Sequence, residues 1–259
     1  MNLIKLILIL LLGSCSMTYA VAFDALTSHG TPGTGNLTWN HTAGASPKGV
    51  IVFIVQNVGA TDEVSGVTYG GVNMTEVTGS PFARATGEPG TVYAYFLGAG
   101  VPANTQSVVV TVTNTSVKTA TAITVTGTTS LTKVQDIDIT ITTTGGTSLS
   151  ATLALGGVSS FCAEAFHSGE NAPSSNTPLA NWTSAYAFDF TSQTMGVYYY
   201  DIISTVDVTM GWTQSSDDAL AIGVAIADST PVVSSLPNSL YQADQAGFRQ
   251  KADKASRRY

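Results

Sequence analysis

Four acidic residues have the spacing that carboxylate chemistry would need. Glu164 and Glu170 lie six positions apart, and Asp136 and Asp138 share one face of a strand at period two. Glycoside hydrolysis uses two carboxylates on one concave face, and β-sandwiches can supply such a face. The run Asp136-Ile137-Asp138-Ile139 also alternates polar and apolar, as an ordinary solvated strand does. No Glu-x-Asp-x-x-Glu-like cluster surrounds a tryptophan, so glycoside hydrolysis ranks behind binding and structural roles.

The three histidines, His29, His41 and His167, are not within metal-ligand spacing of one another, which favours hydrogen-bonded or solvent-facing imidazoles. The chain contains no G-x-S-x-G, H-E-x-x-H or phosphate-cradling glycine loop. The expectation is a protein that is not an enzyme and has no catalytic residues. Aromatic faces suit a lectin-like role: Trp182, Trp212, Tyr186 and Tyr199 are the glycan-stacking candidates. In the run Val197-Tyr198-Tyr199-Tyr200, alternate residues must point inward, so at least one tyrosine belongs to the core. Asp217 and Asp218 offer hard oxygen ligands that fit Ca²⁺, although paired aspartates also form turns. No other cofactor is expected.

These side chains need a scaffold, and its clearest mark is Gly66-Val-Thr-Tyr-Gly-Gly-Val-Asn-Met-Thr-Glu-Val77. A two-residue type I′ turn requires positive φ at both central positions, so Gly70-Gly71 reads as a hairpin pairing Tyr69 with Val72 and Thr68 with Asn73. The alternation slips at Glu76, which predicts a bulge or the end of pairing. Elsewhere short Thr- and Val-rich runs recur, including 36–42, 49–56, 91–97, 107–113, 120–127, 134–143, 149–155, 196–203, 206–212 and 219–227. Helical periodicity is absent before residue 238. The predicted fold is all-β, a single antiparallel β-sandwich of jelly-roll type made of two packed sheets, spanning 23–228.

The N-terminus carries Lys5, an apolar stretch from Leu6 to Leu12, and Ala20-Val21-Ala22 as an A-x-A-like processing site. Residues 1–22 therefore read as a secretory signal peptide; the competing reading is a lipobox at Leu12-Gly13-Ser14-Cys15, which would lipidate Cys15 and tie the chain to a membrane. Without the leader Cys162 is the sole cysteine, so disulfides are excluded and a buried inert thiol is expected.

Charge divides the chain. Residues 21–228 hold fifteen acidic and four basic residues, net −11, which disfavours nucleic acid as a partner. Residues 229–239 form a Ser/Pro linker, and the net charge of 229–259 is +3. Within 240–259, a tail read as disordered or a short helix, Arg249, Lys251, Lys254, Arg257 and Arg258 are the candidates for attachment to an anionic surface. Sequons at Asn36, Asn40, Asn73, Asn114 and Asn181 matter only in a host that glycosylates.

Three stretches, 22–42, 66–77 and 208–228, together with 92–112, resemble a group of uncharacterised β-sandwich modules in bacterial secreted proteins and phage virion or tail proteins, marked by the Thr-Tyr-Gly-Gly hairpin. The resemblance implies a non-catalytic module used for display, assembly or adhesion at an extracellular or virion surface. Its expected partners are other structural or surface proteins, including copies of itself, with glycans as the alternative.

Overall fold

A computed structural model of the chain describes residues 21–59, 62–84, 89–127, 131, 134–169, 177–190, 193–200 and 203–227. The strands, in chain order, are β1 (Ala22–Ser28), β2 (Leu37–Thr42), β3 (Gly49–Gln56), β4 (Val64–Tyr69), β5 (Val72–Asn73), β6 (Thr75–Glu76), β7 (Phe82–Arg84), β8 (Gly90–Leu97), β9 (Thr105–Val112), β10 (Lys118–Thr126), β11 (Val134–Leu153), β12 (Ser160–Ser168), β13 (Thr177–Pro178), β14 (Trp182–Phe190), β15 (Gln193–Tyr200) and β16 (Val208–Ala227). The protein is all-β and its ladders are antiparallel; no helix occurs among the described residues.

The layer count differs from the expected two. An outer sheet runs β2-β9-β4-β5, a middle sheet β1-β10-β3-β8-β6 with β7 on β8, and a third β11-β16-β12-β15-β14 with β13 on β16. The middle sheet is covered on both faces. Ile51, Phe53 and Val55 of β3 pack with Phe161, Ala165, Ile222 and Val224 of the third sheet, whereas Val50, Val52 and Ile54 pack with Leu37, Val67 and Val110 of the outer sheet. Every residue of β3 is therefore buried, which explains why GVIVFIVQ is apolar without alternation. In β2 and β9 one face meets water, and there the alternation is visible.

The Gly70-Gly71 hairpin is present as expected, with φ of 56° and 80° and the pairs Tyr69–Val72 and Thr68–Asn73. Glu76 breaks the pattern because the chain changes sheets. Thr75 and Glu76 pair with Phe96 and Tyr95 of β8, carrying the strand from the outer sheet to the middle one.

The pairs of runs 134–143/149–155 and 206–212/219–227 are not separate strands but two continuous ones of 20 residues each, β11 and β16. Their ladder shifts register around Gly146, where the ribbon turns back. Leu149, Leu153, Met210 and Trp212 then cover Cys162, Phe166, Tyr198 and Ala221, giving a third core. Asp136 Oδ2 accepts the Ala154 N–H at 2.6 Å, so the two ends of β11 meet. Glycines permit the closure. A Cβ on Gly223 would lie 1.9 Å from Met210 Sδ, and Gly211, at φ 126°, faces the Leu149 carbonyl.

The chain divides into a large unit, Met1–Ser229, and a short one, Thr230–Tyr259, which lies outside the described residues.

Candidate functional site

A bulge in β1 at Asp24 turns its carboxylate inward, and a directional polar network is built on it. Asp24 Oδ2 accepts the Gly44 N–H and the Thr124 hydroxyl, each at 2.9 Å. Thr124 has a single proton, so its oxygen accepts from His41 Nε2–H at 3.1 Å, and His41 Nδ1 accepts from the Thr27 hydroxyl at 2.7 Å. The imidazole that fits this order is neutral and protonated at Nε2. Burial agrees, lowering the His41 pKa to about 4 despite the opposing pull of Asp24. A hydroxyl, an imidazole and a carboxylate in line are the parts of an activated nucleophile. Here, however, His41 has no exposed surface, and the relay links β1 and β10 of the middle sheet to β2 of the outer one. Its chemistry is that of a staple between layers.

Glu164 sits in β12 on the side of the third core, fully buried. Neither carboxyl oxygen forms a well-aligned hydrogen bond, although the Gly211 N–H lies beside the group. Desolvation raises its pKa to about 8, a rise opposed by the neighbouring Gly211 N–H, so the group is neutral at pH 7. A carboxyl enclosed in this way has no contact with a dissolved sugar. Asp136, its counterpart from the other candidate pair, is spent on the Ala154 amide. Glu170 lies outside the described residues, as does the side chain of Asp138.

On the opposite face of β12, His167 faces the middle sheet. Its ring fills the space beside Gly90, where a Cβ would come within 2.5 Å, and its Nε2 is 3.1 Å from Gln193 Oε1. Burial lowers its pKa to about 4, assisted by the Arg84 guanidinium. Arg84 in turn forms a 3.5 Å ion pair with Asp218. That pairing bears on the Ca²⁺ expectation: Asp218 already has a cation beside it, and Asp217 Oδ1 accepts the Asp218 N–H at 2.7 Å. Both lie inside β16 at its bend and not in a loop after a strand. Among the described residues no group of three or more His, Cys, Asp or Glu side chains could hold a metal ion.

The aromatic candidates are largely interior. Trp212 has no exposed surface and is a centre of the third core, with its ring 4.5 Å from that of Phe166, so it presents no face to a sugar. Trp182 is 6% exposed and donates from Nε1 to the Thr209 carbonyl at 2.9 Å. Tyr199 lies under Phe23, their rings stacked at 4.9 Å. Tyr186 is half-buried. Tyr198 is the core tyrosine that the alternation required. Cys162 is buried, and burial pushes its thiol up to about 12. The basic residues Arg249, Lys251, Lys254, Arg257 and Arg258, and Cys15, lie outside the described residues.

A half-open cleft of about 580 Å³ runs between β6, the end of β8 and the start of β11, with Glu76 and Asp136 set among Val77, Phe96, Leu97 and Ile137. Burial raises the pKa of Glu76 even though the Ser80 hydroxyl donates to it at 2.9 Å. A ligand matched to this lining would combine an apolar body with a cation. Sequence reasoning missed the cleft, because strands distant in the chain form its walls. A comparison with protein-family models and with curated proteins returns no match.

Proposed function

We propose that this protein is a non-catalytic β-sandwich module of an extracellular or virion surface, serving in display, assembly or adhesion. One observation carries the reading: two of the three histidines and the candidate carboxylate Glu164 face inward, while the strands of the outer sheet face out without charge. His41, His167 and Glu164 are fully buried. The strands of the outer sheet contain no Asp, Glu, Lys or Arg, and their exposed side chains are mostly hydroxyls and amides, among them Thr38, Asn40, Thr42, Thr105, Ser107 and Thr111, with Val72 the exposed apolar residue of β5. Hydroxyls and amides on a rigid sheet form hydrogen bonds with a partner without the desolvation cost that paired charges carry.

The test is the state of the protein in its producing culture. Co-sedimentation with a virion or cell-surface fraction, or self-association of the purified chain in analytical ultracentrifugation, is the expected result. Reproducible sugar release that Glu164→Gln abolishes would overturn the reading in favour of an enzyme.

A further inference from the structure

The fold extends further toward the N-terminus than the best sequence match for signal-peptide processing allows. Cleavage after Ala22 would satisfy the small-residue rule with Ala20 and Ala22. Yet Val21 has no exposed surface and belongs to the core between the middle and third sheets, with Ile51, Phe53, Ile123 and Val125. Ala22 is the first residue of β1; it pairs with Thr126, whose hydroxyl donates to the Ala22 carbonyl at 3.4 Å. Cutting between Ala22 and Phe23 would remove a core side chain and the first rung of an edge strand. It would also turn the Phe23 amide, one position from the bulge that aims Asp24, into a charged ammonium.

We propose that the chain is processed upstream of Val21, so that Val21 and Ala22 belong to the mature protein. This rests on the secretory reading of the leader. Two positions meet the requirement. Thr18-Tyr19-Ala20 places small residues three and one positions before a cut at Val21, and Leu12-Gly13-Ser14 precedes a lipidated Cys15. Either leaves β1 whole.

The experiment is expression of the full chain in a bacterial secretion host, followed by N-terminal sequencing and intact mass of the exported product. A start at Val21 with a free amine supports the proposal, as does a lipid-modified Cys15, and Cys15→Ser distinguishes the two by blocking only the second. A start at Phe23 or later overturns it while leaving secretion standing. Retention of Met1 in the cytoplasm overturns both. As a second arm, Ala22→Leu places a large residue where cleavage after position 22 needs a small one. Normal processing of this variant is expected, and accumulation of its precursor would overturn the proposal.

Discussion

Gln214 donates from Nε2 to the Gly146 carbonyl at 2.9 Å, joining β16 to β11 where the ribbon folds back. The same amide donates to the Asp217 carbonyl at 2.8 Å and accepts from Ser168 Oγ and Trp212 Nε1, each at 2.9 Å. Indole and carbonyl partners fix which end of the amide is which, since one can only donate and the other only accept. Gln214→Leu removes the partner of the Gly146 and Asp217 carbonyls and of the Trp212 indole at once and is expected to cost about 3–5 kcal/mol. Urea unfolding measures it. Gln214→Glu, which keeps the acceptors and loses both donors, should also destabilise, whereas an unchanged midpoint for either variant would mean that the bend is held elsewhere.

Stability should peak near pH 6.5. His41 and His167 have folded pKa values lowered to about 4, so their contribution is present above the unfolded value of about 6.5 and is lost as pH falls toward 4. Glu164 has the opposite sign. Its folded pKa is raised to about 8, so stability present below about 4.5 is lost progressively as pH rises through 8. Melting temperatures measured from pH 4 to 9 should trace a maximum between these limbs. Glu164→Gln should flatten the alkaline limb, and His41→Gln should lower stability at pH 7 while making the acid limb shallower.

At the hairpin the two glycines are not equivalent. Gly70 has φ of 56°, and a Cβ there would lie 2.7 Å from Gln106 Oε1 and 3.0 Å from Pro102 Cγ; a Cβ on Gly71 meets nothing within 4 Å. Gly70→Val is therefore expected to lower stability by about 2 kcal/mol or more, from backbone strain and contact together. Gly71→Asn, a residue that tolerates positive φ, should cost much less. Equal effects in thermal melts would count against this account of the turn.

The tail gives a prediction about attachment rather than folding. Five basic residues fall within positions 249–259, against a net charge of −11 over 21–228. Deleting 240–259 should leave the melting temperature of the body unchanged and weaken binding to anionic vesicles. The binding of the intact chain should fade toward 1 M salt, where the Debye length is about 3 Å. Vesicle sedimentation across a salt series reads both effects, and binding that survives deletion and salt alike would assign the attachment elsewhere.

Local chemistry made much of the fold legible in the sequence. Glycines with positive φ announce a type I′ hairpin whatever surrounds them, and period-two runs rich in Thr and Val announce strands, so the Gly70-Gly71 turn and an all-β antiparallel architecture could be read directly. The burial of Cys162 and one core tyrosine in 198–200 followed from composition and alternation. What local pattern does not encode is which face of a strand finds a second partner. The unbroken apolar run of β3 marks a strand covered on both sides, but only the assembled layers show that β3 is shared between two cores and that β12, which carries Glu164 and His167, is buried along its whole length. Thr142-Thr-Thr-Gly-Gly146 and Thr213-Gln-Ser-Ser-Asp217 read as loops because turn formers cluster there. In the structure they carry two long strands through a bend, with Gln214 supplying the hydrogen bonds that a loop would have taken from water. That folding back places Trp212 and Glu164 inside a core. An indole or a carboxylate in a strand has the same spelling whether it faces water or a neighbouring sheet, and contacts between residues far apart in the chain decide which.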